Sequence, residues 1–120
     1  MSKLKQYIDQ IVVALEDKKA LDIRFFEVSE RSSVTDFVMV VGASNNIHVR
    51  ALQNAVDEVS HELGADEDLY DHLRISGKAE SGWVVLDLNS IIIHVILEDL
   101  RQFYELDAHF EKKVVASPTH

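Results

Sequence analysis

The stretch from Trp83 to Ile96 constrains this chain more than any other. It reads Trp83-Val84-Val85-Leu86-Asp87-Leu88, then Asn89-Ser90, then Ile91-Ile92-Ile93-His94-Val95-Ile96. Two runs rich in β-branched residues, split by a two-residue polar break, form a β-hairpin. A turn at Asn89-Ser90 sets Leu88 opposite Ile91, Leu86 opposite Ile93, Val85 opposite His94 and Trp83 opposite Ile96. Because strand side chains alternate, Val84, Leu86, Leu88, Ile91, Ile93 and Val95 share one face. That face is wholly apolar and must be core. The other carries Trp83, Val85, Asp87, Ile92, His94 and Ile96, a mixture of the kind found on interfaces or beneath a covering helix. A lone hairpin is not stable in water, so the rest of the chain must supply more strands and a covering layer.

The remaining sequence supplies both. Leu4, Ile8, Ile11, Val12 and Leu15 form a one-sided helical stripe, with Lys18 and Lys19 near its negative pole. Leu21–Val28 reads as a strand, and Ser29–Ser33 as a polar turn. Asp36–Val41 is nearly continuous apolar sequence, as in a central strand covered on both sides. A second helix follows the cap candidates Ser44-Asn45-Asn46, buries Leu52, Ala55, Val56, Val59 and Leu63, and ends at Gly64. Leu73 and Ile75 mark a short strand leading to Gly77, and Lys78–Gly82 is the loop that opens the hairpin. A last helix starts at the acids Glu98-Asp99 and runs to about Phe110. The order α-β-β-α-β-β-β-α predicts an α+β fold with a mixed five-stranded sheet packed with helices. One domain over 1–110 is expected, with 111–120 as a frayed tail.

Composition narrows the function. At 120 residues, 47% apolar and 28% charged, the chain can bury one real core. It has no cysteine, which excludes disulfides and thiolate metal sites. The longest apolar runs are far too short to span a membrane, and Met1–Lys5 passes straight into the helical stripe without a secretory h-region. A cytoplasmic location with no membrane association is the expectation. Twelve basic against 21 acidic residues give a net charge of −9. Such a surface repels phosphates, so little direct nucleic-acid binding is expected, and a basic protein partner is favoured.

No motif carries catalysis. Of the six histidines, no pair has the spacing that places two imidazoles on one helix face, and Asp57 and His61 read as an exposed i,i+4 pair. No serine lies in a nucleophile elbow. Gly42-Ala43-Ser44 at a strand-to-helix turn invites an anion-binding or nucleotidyltransferase reading, which would use Gly42, Ser44 and Asp87. That chemistry needs paired carboxylates for divalent metals, and Asp87-Leu88-Asn89 is one short. Asp66, Glu67 and Asp68 read as a solvated acidic loop. No cofactor, metal or catalytic residue is assigned.

Three segments in register resemble the ribosomal silencing factor (Iojap-like) family. The first is Ser32-Ser33-Val34-Thr35-Asp36 with Ser44-Asn45-Asn46-Ile47-His48-Val49. The second is Gly82–Leu88 with Ile92-Ile93-His94-Val95. The third is Glu98-Asp99-Leu100-Arg101-Gln102-Phe103-Tyr104-Glu105-Leu106-Asp107. The match spans about Leu4 to Phe110, with departures at Ala43, Ile47, Ser76 and Phe110. The resemblance implies a nucleotidyltransferase-like topology without catalysis. It also implies binding to the large ribosomal subunit through ribosomal protein L-fourteen, steric exclusion of the small subunit and repression of translation. Organellar relatives are linked to large-subunit assembly. On this resemblance and the mixed hairpin face, the expected partner-binding residues are Trp83, Val84, Asp87, His94, Arg101 and Tyr104. A homodimer stays open, and Trp83 is either a core plug or an interface anchor.

Overall fold

The alternation read from the hairpin is realised pair for pair. In the computed structural model β4 (Trp83–Asp87) and β5 (Ile91–Leu97) run antiparallel with Trp83 opposite Ile96, Val85 opposite His94 and Leu86 opposite Ile93. Leu88 N–H donates to the Ile91 carbonyl at 2.9 Å, closing the pair. The structure describes residues 3–27, 37–63, 73–88 and 91–111. The Asn89-Ser90 turn, the Ser29–Ser33 turn, the Asp66–Asp68 acids and the tail beyond Glu111 lie outside them.

Around the hairpin, β1 (Leu21–Glu27), β2 (Phe37–Ala43) and β3 (Arg74–Lys78) complete a five-stranded sheet of order β1-β2-β5-β4-β3. β2 and β5 are parallel, and the other neighbours are antiparallel. The sheet is therefore mixed. β2 is flanked on both sides and almost wholly buried, as its continuous apolar run requires. A 3-10 turn, Ala79–Ser81, links β3 to β4 and ends at Gly82, whose φ of 87° is the left-handed conformation that glycine tolerates best.

The apolar hairpin face packs beneath α1 (Lys3–Asp17) and α2 (Asn46–Leu63). Val84, Leu86, Leu88, Ile91, Ile93 and Val95 all have zero exposure, and they join Met39, Ile11, Leu15, Leu52 and Val56 in one core. Asn45 caps α2, its Oδ1 accepting the His48 N–H at 2.8 Å. Lys18 and Lys19 fall just past α1 and form its terminating turn. Ala20 N–H reaches back to the Leu15 carbonyl, and Lys19 takes φ 67°. Apolar periodicity missed one tie between these helices. Tyr7 and Ser60, both buried, share a hydrogen bond at 3.1 Å.

The second sheet face meets α3 (Glu98–Phe103) and α4 (Leu106–Glu111) over a smaller core of Phe26, Val38, Val40, Ile96 and Leu106. Here the single helix expected to Phe110 is corrected to two. The chain breaks at Tyr104-Glu105, with Glu105 at φ 49°. The reason is Arg101. On an unbroken helix, residues six apart project about 120° from each other. The break returns Asp107 to Arg101 in a two-pronged contact, Nε to Oδ1 at 2.7 Å and Nη2 to Oδ2 at 2.8 Å.

Candidate functional site

The two short helices cover only part of the second face. α3 packs on β5 and β2 and α4 on β1, whereas Val85, Asp87 and Ile92 stay half-buried and β3 is exposed throughout. Directly opposed residues share a face. The β3–β4 register therefore adds Arg74, Ser76 and Lys78 to the surface carrying Asp87, Val85 and Trp83. This open face is a sheet of mixed character, bounded on one side by the α3–α4 corner.

A chain of rings runs from that corner into the second core. Phe103 and Tyr104 meet edge-on at 4.9 Å, Tyr104 lies 5.6 Å from Trp83, Trp83 lies 5.9 Å from His94, and His94 lies 5.1 Å from Phe110. Its outer end is bare: Phe103 is 75% exposed and Tyr104 54%. Its middle is polar but satisfied, because Trp83 Nε1–H donates to His94 Nδ1 at 3.0 Å. Burial, reinforced by the like charge of His109, lowers the His94 pKa to about 4, so the ring is neutral at physiological pH.

The predicted site residues fall into two groups. Trp83, Asp87, His94 and Tyr104 are brought together on or behind the open face. Val84 and Arg101 are not available for direct contact, and that expectation is corrected. Val84 points the other way and has no exposed surface. Arg101 is 4% exposed, clamped by Asp107, by Glu98 at 3.2 Å, by the Leu21 carbonyl at 3.4 Å and by Asp22 at 3.9 Å. Its bond to Asp107, followed by its positive charge, holds that carboxyl below the usual carboxylate range. Arg101 thus shapes the corner that displays Phe103 and Tyr104. Phe103 itself was missed, since a phenylalanine in a helix normally reads as core.

Trp83 combines core packing with partial exposure. It is half-buried, packed on the second core and edged by the exposed Tyr104. Full truncation of a buried aromatic costs about 3–5 kcal/mol. At this half-buried position, Trp83→Ala is expected to cost about 2 kcal/mol of folding stability and to weaken partner binding as well. Denaturant unfolding and binding measured on one sample check this.

The local charge refines the global one. The β3 side of the open face carries Arg74 and Lys78, with Arg74 3.8 Å from Asp87. Acids dominate α3 through Glu98 and Asp99, and its arginine is internally neutralised. The net charge of −9 is therefore not spread evenly over the site.

The turn at Gly42-Ala43-Ser44 is closed to anions by its neighbours. A β-carbon at Gly42 would collide with the Glu98 carboxylate, so a negative group already occupies the crevice at the ends of the parallel strands β2 and β5. The Ser44 N–H is spent on His48 Nδ1 at 3.0 Å, and His48 Nε2 bonds the Lys18 carbonyl at 2.8 Å. His48 is a strut between the two helix ends. His61 and Asp57 form the exposed pair expected of them, 3.6 Å apart. Among the described residues, no group of three or more His, Asp or Glu is arranged for a metal ion, and no helix is long and apolar enough to cross a membrane.

Comparison with known proteins gives the family. The family model described as "Ribosomal silencing factor during starvation" matches residues 2–119. The ribosomal silencing factor RsfS of Treponema pallidum is 32% identical over 106 residues, 88% of this chain and 91% of that protein. A mouse protein named "Mitochondrial assembly of ribosomal large subunit protein 1" is 28% identical over 83% of this chain, which spans 43% of that longer protein. A crystal structure of a Chromobacterium violaceum protein superposes with a TM-score of 0.76 at 27% identity, covering 97% of this chain and 92% of that one. With matches that run nearly end to end and the same fold, the chain belongs to the ribosomal silencing factor family.

Proposed function

We propose that this protein binds the large ribosomal subunit through ribosomal protein L-fourteen, blocks docking of the small subunit and so represses translation, without catalysing a reaction. The observation that carries this reading is the open sheet face ending in the bare Phe103-Tyr104 corner, on a chain of this family. An aromatic cluster bordered by charged residues is the anatomy of a protein interface, where aromatic anchors carry most of the energy. The Glu98 carboxylate beside Gly42 argues against a nucleotide there, because like charges repel a triphosphate. A role in assembling the large subunit is the second reading, favoured by the name of the mouse relative. Both readings share the same contact.

Sedimentation with purified ribosomal subunits in a sucrose gradient tests the proposal. The protein is expected to travel with the large subunit and to lower the yield of joined ribosomes. A protein left at the top of the gradient beside free large subunits contradicts the proposal. Salt adds a finer expectation. Long-range steering by a charge of −9 is screened, whereas an apolar contact is not. Raising ionic strength should therefore slow association several-fold and change dissociation little. Surface-immobilised large subunits would report both rates.

A further inference from the structure

We propose that His94 is a positioning residue for the open face, holding the Trp83 indole, and through it Tyr104, in the orientation that a partner meets. Tryptophan can only donate through its ring nitrogen. The 3.0 Å bond therefore makes His94 Nδ1 the bare nitrogen and leaves the ring proton on Nε2. The pairing is diagonal across the hairpin, since Val85 stands opposite His94 and Ile96 opposite Trp83. Only long or aromatic side chains bridge that spacing. Phe110 backs the imidazole at 5.1 Å, so the ring is held from behind while its nitrogen holds the indole in front.

The surroundings favour one protonation state. From β2 the register brings Val40, from β4 it brings Val85 directly opposite with Trp83 and the acid Asp87 two residues to either side, and α4 contributes Phe110 and the titratable His109. Asp87 has Arg74 3.8 Å away, and the charge that acts on His94 is that of His109, which disfavours a second positive charge beside it. A proton on Nδ1 would set two N–H donors against each other, and the indole would have to let go. The neutral ring is thus a fixed acceptor at physiological pH, which a positioning role requires. This inference rests on the open face being the ribosome contact.

The single tryptophan makes Trp83 its own reporter. Two variants separate the parts of the imidazole. His94→Asn keeps an acceptor near the Nδ1 position and loses the ring, whereas His94→Phe keeps the ring and loses the acceptor. Trp83 emission of each free protein is recorded from about pH 7.5 to about pH 3.5, spanning the histidine range, with circular dichroism at every step. Binding to purified large subunits is measured at neutral pH. Wild-type emission is expected to change with a midpoint near the His94 value of about 4, ahead of any loss of ellipticity, and both variants should be flat. His94→Phe should bind at least about fivefold more weakly than wild type, and His94→Asn within about twofold, as expected when one polar partner is left unmade. The proposal is overturned if His94→Phe titrates as the wild type does, or if it binds as tightly as His94→Asn. If wild type itself fails to bind large subunits, the functional reading falls, and the emission series alone decides whether His94 holds Trp83.

Discussion

Arg101→Met is expected to destabilise the protein by about 3 kcal/mol, the low end of what breaking a buried ion pair from one side costs. For a domain of this size that corresponds to a fall of roughly 10 °C in Tm. The side chain is 5% exposed, and it gathers Asp107, Glu98 and Asp22 around a single guanidinium. Methionine fills similar volume but leaves those carboxylates facing one another. The partial exposure of Asp107 and Glu98, 23% and 29%, keeps the figure from the upper end, because water can reach the abandoned acids. Arg101→Lys should fall between, retaining charge without the two-pronged geometry. Thermal and denaturant unfolding measure both variants. A loss for Arg101→Met below about 1 kcal/mol would mean that the cluster behaves as an ordinary surface pair.

Acidification is expected to have an effect of similar size through His94. Its pKa falls from 6.5 to about 4 in the folded protein, first because burial disfavours the imidazolium and then because His109 is nearby. The folded value is depressed below the unfolded one, so between them the unfolded chain holds the extra proton. Stability is therefore complete above about pH 6.5 and is lost as pH falls toward 4, by up to about 3 kcal/mol. Asp107 acts in the same direction at lower pH. Arg101 holds its carboxyl below the usual range, so its contribution is present above the unfolded carboxylate value and disappears as pH drops through the folded one. Urea unfolding at successive pH values gives the profile. In His94→Phe the loss between pH 6.5 and 4 should shrink by most of that amount, and an unchanged profile would place the titration elsewhere.

Much of this was legible because it is local. The hairpin register followed from strict alternation about a two-residue turn, and every predicted pair that the structure describes is present. The α2 cap at Asn45 followed from residue type. What sequence hid depends on contacts between distant segments. Gln102-Phe103-Tyr104-Glu105-Leu106 holds neither glycine nor proline, so nothing local announces the break. It is imposed by an arginine that must satisfy groups on β1, α3 and α4 together. The same clamp explains why Arg101, read as a surface contact, is buried, and why Phe103, which the sequence did not single out, is bare. Tyr7 and Ser60 were invisible to an apolar count because half of that contact is a serine. The site was half legible: its face came from the alternation, and its corner from packing that no periodicity encodes.

The central claim is that the open face and its aromatic corner make the ribosome contact, and Phe103→Ser tests it most directly. Phe103 is 75% exposed, so its removal should leave the fold intact. The measurement is the affinity of wild type and Phe103→Ser for purified large subunits, with Tm recorded on the same samples. The expected result is at least about a tenfold loss of affinity, worth about 1.4 kcal/mol, at an unchanged Tm. A variant that binds large subunits as tightly as the wild type would contradict the claim.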